Sequence, residues 1–461
     1  MHNTDTFLNK LALLVPDDQF SVQADQLAVA AEDESTLPGV TPLAVVWALS
    51  TDEITAIVKL CFETDTPVTT RGAGSALEGS TIPSSGGIVL DVSRMTDIID
   101  YWPDDLQVRV QPGIIYDDLN KYLKNDGLFF PPSPGGSGDI ATVGGMVSTN
   151  ASGIYSVKYG GTREYVLELE IVTGTGQIVK LGNRAIKRSS GYNLVDLMTG
   201  SEGTLGVITS VTIRLAGLPE GRHQTAFVFE TEIEASRAVS EMRRYGLDLA
   251  AIEFLDRAVI RALNQLKQYG LKEAPSLFLE FHGPKEVLHS NAELAEELCT
   301  EHGGSRLTLG DNQSPWEIRH WTTEAIKHAR PGYTILRNDV AFPISHLPEI
   351  VAFCHKIARE NDITMHTFGH VGLGLLHALI LARRDNKEEW TRACEVNDQI
   401  IRKTLEFEGT ISGEHGIGLG HKDLFETEHG AAVELMRRIK LQFDPHSILN
   451  PGKIFDVEDV S

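Results

Sequence analysis

Residues 69–79 read TTRGAGSALEG and follow a short apolar stretch that predicts a β-strand. Glycine residues let a backbone approach a ligand closely and turn its amide groups toward an anion. The loop is therefore a candidate for binding a dinucleotide pyrophosphate. The Gly-x-Gly-x-x-Gly/Ala pattern of the Rossmann fold is not met, because Leu77 stands at the third glycine position. Taken alone, the loop fits an ordinary turn equally well.

Two further glycine-rich stretches favour a ligand site over a turn. Residues 131–153 read PPSPGGSGDIATVGGMVSTNASG, and residues 200–209 read GSEGTLGVIT. Ordinary turns do not need this density of Gly, Ser and Thr. Many small hydrogen-bond donors at the ends of several strands fit a long cofactor that lies in an extended groove.

The pattern of strands and helices around these loops indicates an α+β protein. Residues 39–100 look like βα units, and residues 101–218 are rich in strands and include a hairpin closed by residues 173–176. Residues 222–410 alternate strands with amphipathic helices. The glycine loops stop near residues 218–221, where we expect a domain boundary. Strands are predicted at 41–48, 67–70, 87–92, 106–110, 168–172, 177–181, 207–215 and 224–229, and helices at 52–63, 234–245 and 393–408.

The composition excludes several functional classes. The formal net charge of −23 disfavours binding to nucleic acid, because an acidic surface repels phosphate groups. Residues 1–20 contain acidic side chains and only a short apolar patch, unlike a signal peptide, and no stretch predicts a transmembrane helix. The four cysteines form no CxxC pair, so neither an iron–sulfur cluster nor a zinc knuckle is expected. We expect a cytoplasmic protein.

Two histidine-containing stretches are candidates for a metal site. Residues 366–377 read HTFGHVGLGLLH, and residues 409–418 read GTISGEHGIG. If residues 372–374 turn the chain, a hairpin brings His370 and His377 to one end. Two imidazoles and one carboxylate form a known set of ligands for a divalent metal. Surface loops or hydrogen-bonded core histidines are the alternative interpretation.

In combination, the glycine loops resemble a known family. The order RGAG at 71–74, ATVGGM at 141–146 and GSEGTLG at 200–206 is similar to the FAD domain of the vanillyl-alcohol-oxidase fold. The resemblance is narrower to the branch of D-lactate dehydrogenase, glycolate oxidase and D-2-hydroxyglutarate dehydrogenase, and it runs from about residue 40 to residue 455.

This resemblance implies an α+β architecture with a two-part FAD-binding domain. The second domain, called the substrate or cap domain, would contain an antiparallel sheet. The predicted division is an N-terminal helical segment at 1–38, the FAD-binding domain at 39–219, the substrate domain at 220–419, and a C-terminal segment at 420–461 that returns to the FAD domain.

The resemblance also implies how FAD is held. Some relatives attach the flavin through a histidine of the first loop, but residues 71–79 contain neither His nor Cys, so the FAD is expected to be noncovalent. Ser133 departs from the Asp that is usual in the branch. The predicted FAD-binding residues are Arg71, Gly72, Ala73, Gly74, Ser75, Ser133, Pro134, Thr142, Gly144, Gly145, Ser148, Asn150, Gly153, Glu202, Gly203, Gly206, Ile208 and Asn450.

The histidine stretches resemble the family motifs Gly-His-x-Gly-Asp-Gly-Asn-x-His and Gly-Glu-His-Gly. By this resemblance His370, His377 and Glu414 bind a divalent metal (zinc, manganese or iron), and His415 is the catalytic base. Two positions depart from the family, because Leu373 replaces its Asp and Leu375 replaces its Asn. These leucines predict a more apolar pocket, and loss of the metal is the alternative.

The family resemblance also assigns residues to the substrate. Arg319 matches an arginine that grips the substrate carboxylate, and bidentate binding of carboxylates suits arginine. Thr323 and Arg337 match further substrate-binding positions of the 2-hydroxyglutarate members. The alternative for Arg319 is a surface ion pair with Glu317 or Glu324.

These matches predict an enzyme that oxidises a small anionic D-2-hydroxy acid, D-lactate first, by transferring hydride to FAD. Glycolate and D-2-hydroxyglutarate are alternative substrates on the same machinery. A non-redox transferase and a non-catalytic flavin-binding subunit are more distant alternatives. The residues do not specify the electron acceptor, and a homodimer is an expectation for the assembly.

Overall fold

The glycine-rich loops belong to one of two units into which the chain divides. The computed structural model describes residues 2–310 and 313–457. Unit 1 contains the residues up to Ser152, then Gly161–Leu218, and then the chain from Glu414 onward. Unit 2 contains Gly153–Gly160 and Pro219–Gly413.

The first sheet of unit 1 has the strand order β1-β2-β4-β3. The strands β2, β3 and β4 are parallel, and β1 pairs antiparallel with β2. The central strands are almost fully buried, as expected for parallel strands that have both faces covered. The strands are Phe20–Ser21 (β1), Ala44–Trp47 (β2), Val68–Arg71 (β3) and Ile88–Asp91 (β4).

The second sheet of unit 1 is antiparallel and has the order β5-β6-β10-β8-β9. The predicted hairpin is confirmed, because Val172 pairs with Ile178 across the turn. The strands are Ile98–Trp102 (β5), Gln107–Val110 (β6), Val166–Val172 (β8), Ile178–Gly182 (β9) and Val207–Arg214 (β10), and a separate short pair joins Leu128–Phe129 (β7) and Ala216–Gly217 (β11).

The N-terminal residues pack into unit 1 and do not form a separate part of the structure. Phe7 and Leu11 lie in the same hydrophobic cluster as Ile57, Leu90 and Leu449, so residues from both ends of the chain share this core. The helices of unit 1 are His2–Ala12 (α1), Ala24–Ala30 (α2), Thr51–Glu63 (α3), Tyr116–Leu123 (α4), Val143–Thr149 (α5), Leu194–Met198 (α7), Lys422–His429 (α15) and Ala432–Phe443 (α16).

Unit 2 is built on an antiparallel sheet with the order β15-β12-β14-β13-β17-β18-β16. Its strands are Gly221–Val228 (β12), Ala251–Leu255 (β13), Ser276–Gly283 (β14), Ser305–Arg306 (β15), Thr334–Ala341 (β16), Thr364–Gly369 (β17) and Leu375–Ala382 (β18). Its helices are Ser156–Tyr159 (α6), Glu232–Arg244 (α8), Arg257–Lys267 (α9), Lys285–Glu301 (α10), Pro315–His320 (α11), Thr322–Ala329 (α12), Leu347–Glu360 (α13) and Lys387–Glu406 (α14).

The strand register of unit 2 brings distant polar residues to one face of the sheet. Leu255 pairs with Phe368, Phe368 pairs with His377, and His377 pairs with Asp339. Side chains of directly paired residues point to the same face, as do those of alternate residues along a strand. Glu253 therefore shares this face with His377 and Asp339. The apolar part of the face packs against α9, α11 and α12.

Two segments lie in a different unit from the one predicted for them. Residues 153–160 fall within the predicted FAD domain but belong to unit 2, where the Tyr159 hydroxyl lies 2.8 Å from His282 Nδ1 and Lys158 pairs with Asp248. Residues 414–419 fall within the predicted substrate domain but belong to unit 1. There the backbone amide of Leu419 donates to the carbonyl oxygen of Glu78 at 2.7 Å.

Within residues 2–310 and 313–457, no helix is both long enough and apolar enough to cross a membrane.

Candidate functional site

A groove in unit 1 is lined by residues of all three glycine-rich loops. Thirteen of the predicted FAD-binding residues line it, and they are Gly72, Ala73, Gly74, Ser75, Pro134, Thr142, Gly144, Gly145, Ser148, Glu202, Gly203, Gly206 and Ile208. Further lining residues that the sequence did not single out include Thr70, Ser80, Pro112, Met146 and Thr149. Glu414 and His415 also line the groove.

Two glycines of the groove have no room for a side chain. A Cβ atom added at Gly72 would lie 2.5 Å from Thr142 Oγ1, and one at Gly144 would lie 2.5 Å from the Pro112 Cβ. Thr142 also accepts a hydrogen bond from the backbone amide of Gly145 at 3.1 Å. The contact between Gly72 and Thr142 therefore packs the first loop directly on the second.

Four predicted FAD-binding residues support the loops and do not line the groove. Arg71 is buried and donates from Nη1 to the Glu32 carbonyl oxygen at 2.6 Å. Burial lowers the pKa of Arg71, and the charges of Asp91 and Asp33 oppose that shift. The remaining three form hydrogen bonds with their own surroundings, and they are Ser133 with Ser152, Asn150 with Arg163, and Asn450 with Ser80 and Glu202. Gly153 lies in unit 2.

The Glu202 carboxylate holds the segment that follows His415. It accepts hydrogen bonds from Ser80 Oγ at 2.7 Å, from the Ile417 amide at 2.7 Å and from the Gly418 amide at 2.9 Å. Burial raises the pKa of Glu202, although these hydrogen bonds oppose the shift. The carboxylate therefore fixes the backbone just beyond His415, a role that the sequence did not indicate.

His415 lies beside a buried carboxylate that sequence reasoning missed. Glu78 Oε1 is 3.9 Å from His415 Nδ1, and Glu78 Oε2 is 3.4 Å from His421 Nε2. The neighbouring Glu414 accepts a hydrogen bond from Ser152 Oγ at 2.8 Å. Glu78 belongs to the first glycine-rich loop. Its place in a loop predicted to bind the cofactor is the sequence feature that could have indicated a role for it.

In unit 2 the predicted hairpin between the two histidines is present. Strands β17 and β18 are joined by a short turn, in which Gly374 has a φ of 77°. The imidazole rings of His370 and His377 are both buried, and their centroids lie 5.5 Å apart. The turn thus places two imidazoles side by side.

Asp339 joins His377 to the turn that precedes Glu414. Its Oδ1 lies 3.3 Å from His377 Nδ1, and its Oδ2 accepts hydrogen bonds from Ser412 Oγ at 3.2 Å and from the Gly413 amide at 3.0 Å. Glu414 is the next residue after Gly413. The sequence placed Asp339 near Arg337 but gave it no role, because the strand pairing that brings it to His377 is not local.

Glu253 is a second buried carboxylate that sequence reasoning missed. Its Oε2 accepts a hydrogen bond from Arg319 Nε at 2.7 Å, and its Oε1 lies 2.5 Å from His370 Nδ1. Burial by itself would raise the pKa of Glu253. The charges of His370 and Arg319, with their hydrogen bonds, outweigh burial and lower the pKa.

The structure contradicts the alternative of a surface ion pair for Arg319. Its side chain is 12% exposed and pairs with Glu253 rather than with Glu317 or Glu324. Its guanidinium carbon lies 4.6 Å from the ring centroid of Phe368. Because the bond to Glu253 uses Nε, the two Nη groups remain suited to bidentate binding of a carboxylate.

The other two predicted substrate-binding residues, Arg337 and Thr323, are half-buried residues of unit 2. Arg337 is half-buried on β16 and shares the face of Asp339, because it pairs with Leu379 of β18. Thr323 is half-buried at the start of α12.

The two leucines that depart from the family motif, Leu373 and Leu375, differ in their exposure. Leu373 is 48% exposed, whereas Leu375 is buried and packs on Gly413, where an added Cβ would lie 2.6 Å from its Cδ1.

The donor atoms in unit 2 fit a divalent metal. Glu253 faces Nδ1 of His370, and Asp339 faces Nδ1 of His377. An imidazole whose Nδ1 faces a carboxylate is the usual arrangement at metal sites, where Nε2 is then the coordinating atom. A carboxylate and an imidazole such as those of Asp339 and His377 are themselves suited to such an ion.

Comparison with known proteins identifies the class of this chain. A model for an FAD binding domain matches residues 42–182, and a model for the C-terminal domain of FAD linked oxidases matches residues 218–454. The p-cresol methylhydroxylase structure with substrate bound has a TM-score of 0.84 at 18% identity and covers 99% of this chain and 98% of that one. The vanillyl-alcohol-oxidase-type fold predicted from the sequence is therefore confirmed.

Two curated relatives narrow the class. A probable mitochondrial D-lactate dehydrogenase of Danio rerio is 36% identical over 433 residues, which cover 92% of this chain and 86% of that protein. A D-2-hydroxyglutarate dehydrogenase of Xanthomonas citri pv. viticola is 32% identical over 431 residues, which cover 91% and 90%. The chain belongs to the family of FAD-linked oxidases that contains these dehydrogenases.

Proposed function

We propose that this chain oxidises a small D-2-hydroxy acid, D-lactate first, to the corresponding 2-oxo acid with FAD as the oxidant. The observation that carries the proposal is the arrangement around Glu253. One buried carboxylate holds Arg319, a cation suited to a carboxylate, and His370, one of two paired imidazoles. The family relationship to D-lactate dehydrogenases supports the same substrate class.

We assign binding of the substrate carboxylate to Arg319. The Nη groups of the guanidinium form two parallel hydrogen bonds with the carboxylate, while Glu253 fixes Nε. Burial of the guanidinium against Phe368 strengthens this contact, because water does not screen it fully. Arg319 thereby orients the substrate Cα and its hydroxyl group.

We assign removal of the substrate hydroxyl proton to His415. General bases near neutral pH are most often histidines, and His415 lines the groove that fits the flavin. The substrate loses this proton to the imidazole and loses a hydride from Cα, so that the C–O bond becomes a carbonyl. Bound FAD supplies the acceptor of that hydride, and a second substrate of unspecified class reoxidises the flavin.

A divalent ion is part of the proposal. His370, His377 and Glu414 would hold it, and the ion would lower the pKa of the substrate hydroxyl. Asp339 contacts His377 and the Gly413 amide, so it orients one ligand and the backbone next to another. This arrangement offers a carboxylate partner for His377 although Leu373 replaces the family Asp.

D-2-Hydroxyglutarate is the second candidate substrate. The half-buried Arg337 could pair with a second carboxylate, and a relative carries this activity in its name. Leu375 argues for a small apolar substrate, because burying a distal carboxylate beside it without a partner is costly. A higher kcat/KM for D-2-hydroxyglutarate than for D-lactate would contradict our first choice.

The experiment that tests the proposed function is anaerobic mixing of the purified protein with a panel of D- and L-2-hydroxy acids. We expect bleaching of the visible flavin band with D-lactate, less with glycolate and D-2-hydroxyglutarate, and none with L-lactate. The absence of bleaching with every acid would support a non-catalytic flavin-binding subunit and overturn the proposal.

A cytoplasmic location and a homodimer also belong to the proposal. Cys61, Cys299, Cys354 and Cys394 are free thiols, as is usual in a reducing compartment. Cell fractionation and sedimentation of the purified protein test the two statements directly.

A further inference from the structure

We propose that Glu253 is a positioning residue that couples two groups of the proposed site, Arg319 for the substrate carboxylate and His370 for the divalent ion. This inference rests on the proposed function and adds a residue to it. Glu253 itself touches neither the substrate nor the metal, and it acts through the two side chains that it holds.

The geometry assigns one carboxylate oxygen to each partner. Oε2 accepts from Arg319 Nε at 2.7 Å, and Oε1 lies 2.5 Å from His370 Nδ1. The Glu253 side chain is 0% exposed, so water does not compete for either oxygen. A fully buried carboxylate that accepts short hydrogen bonds from two charged or polar donors binds them more strongly than an exposed carboxylate does.

The bond to His370 favours the imidazole tautomer that carries its proton on Nδ1. With Nδ1 donating to Glu253, the lone pair lies on Nε2, which is the form that binds a metal. The bond to Arg319 has a parallel effect on the guanidinium. Glu253 occupies Nε, Phe368 covers one face of the guanidinium, and the edge with the two Nη groups is left for the substrate.

The two partners lie on separate elements, and Glu253 contacts both of them. Arg319 stands on α11, His370 follows β17, and Glu253 lies on the central strand β13. A movement of the Glu253 carboxylate would therefore displace both Arg319, the proposed binding group for the substrate carboxylate, and His370, the proposed metal ligand. This coupling separates a positioning role from a purely structural ion pair, which would affect the fold alone.

Glu280 provides a matched control on the neighbouring strand β14. Its side chain is also 0% exposed, and its Oε1 lies 2.6 Å from His282 Nε2. Its Oε2 accepts a hydrogen bond from Gln224 at 2.9 Å. Glu280 pairs with Ala251, so it shares the sheet face of Glu253, but its partners are not residues of the proposed site.

The test compares Glu253→Gln with Glu280→Gln in the full-length holoprotein. Glutamine keeps the size of the side chain but has only one oxygen, so it cannot accept from both partners. For Glu253→Gln we expect about a 10–100-fold rise in the dissociation constant of Zn²⁺ or Mn²⁺ added to chelator-treated protein. We also expect a rise of about tenfold or more in the KM for D-lactate, with kcat affected less and the FAD content unchanged.

Glu280→Gln should match the wild type in metal affinity and KM. The coupling is tested further in an Arg319→Ala background, where Glu253→Gln should weaken metal binding but add little to the loss in KM. If Glu253→Gln does not fold, Glu253→Asp replaces it, because the shorter carboxylate reaches only one partner. A Glu253→Asp protein with unchanged metal affinity and KM would overturn the inference.

Two further outcomes are distinguishable. If the wild type shows no flavin reduction with any 2-hydroxy acid, the proposed function fails, whereas the metal titration still reports on Glu253. If the wild type oxidises D-lactate and Glu253→Gln behaves like Glu280→Gln in every measurement, the positioning role fails and the proposed function stands.

Discussion

At the scale of single residues, buried carboxylates lie beside histidines in both units. Glu253 and Asp339 face the Nδ1 atoms of His370 and His377, and Glu78 faces His415. A buried carboxylate that loses its partner keeps its desolvation cost, so each pair strongly favours one side-chain orientation. Under the proposed function, these carboxylates would orient the histidines without taking part in the chemistry themselves.

The residue-scale prediction concerns His415 as the base. His415→Ala should slow flavin reduction by D-lactate by about 10²–10⁴-fold, the usual contribution of a general base. The FAD should remain bound, because thirteen predicted contacts from the glycine loops are unaffected. Rapid-mixing absorbance at the flavin band measures the rate. His446→Ala, which changes a half-exposed histidine of unit 1, is the control, and a fully active His415→Ala protein would contradict the assignment.

At the scale of elements, the sequence predicted what is local and missed what depends on strand register. The glycine loops, the hairpin closed by residues 173–176 and the turn between His370 and His377 follow from short patterns. Glu253 lies 66 residues from Arg319 and 117 residues from His370, so no local pattern connects them. Only the antiparallel order of the unit 2 sheet brings β13 beside β17.

Single helices and strands were located to within a few residues, with larger errors at some ends. The predicted helix at 52–63 is Thr51–Glu63, and the predicted strand at 41–48 is Ala44–Trp47. The predicted helix at 393–408 begins earlier, at Lys387, because Asn386 caps it by accepting from the Glu389 amide. Asn386 could have been recognised in the sequence as a helix cap. The charged residues of the first turns, however, obscure the periodic spacing of apolar residues that indicates a helix.

The element-scale prediction concerns the turn of the histidine hairpin. Gly374 has a φ of 77°, and an added Cβ would lie 2.0 Å from the Phe342 carbonyl oxygen. Gly374→Ala should therefore lower the free energy of unfolding by at least about 1 kcal/mol and reduce the metal content. Gly270→Ala is the matched control, because Gly270 has a φ of 70° but open space around it. Thermal unfolding and metal analysis provide the readouts, and equal behaviour of the two variants would refute the role of the turn.

At the scale of the whole molecule, the residues of the proposed site are divided between the two units. Unit 1 contains the groove, Glu414 and His415, whereas unit 2 contains Arg319, Arg337 and the two hairpin histidines. The chain has a net charge of −23, so the arginines of unit 2 provide local positive charge for an anionic substrate. The strongest sequence signals, the glycine loops, lie in unit 1, which is why the cofactor was easier to predict than the substrate.

One prediction for the whole molecule is that its FAD is noncovalent. Residues 71–79 contain neither His nor Cys to which the flavin could be attached. Acid precipitation should release the yellow chromophore into the supernatant. Flavin that stays with the precipitated protein would refute the prediction and direct attention to His415 as a site of attachment.

A second prediction for the whole molecule concerns the metal. The purified protein should contain about one divalent ion per chain, since the proposed ligands His370, His377 and Glu414 would together hold a single ion. Treatment with a chelator should slow flavin reduction without releasing FAD, and adding the metal back should restore the rate. An active, metal-free preparation that is insensitive to chelators would contradict the metal part of the mechanism.

The central claim is that hydride leaves Cα of a D-2-hydroxy acid and reduces the flavin. The most direct measurement is anaerobic rapid mixing of the holoprotein with D-lactate, with D-lactate deuterated at C2, and with L-lactate. We expect rapid bleaching with D-lactate, slower bleaching with the deuterated acid because the C2–H bond breaks in that step, and no bleaching with L-lactate. Bleaching that is equal for both enantiomers, or absent with D-lactate, would contradict the proposed hydride transfer.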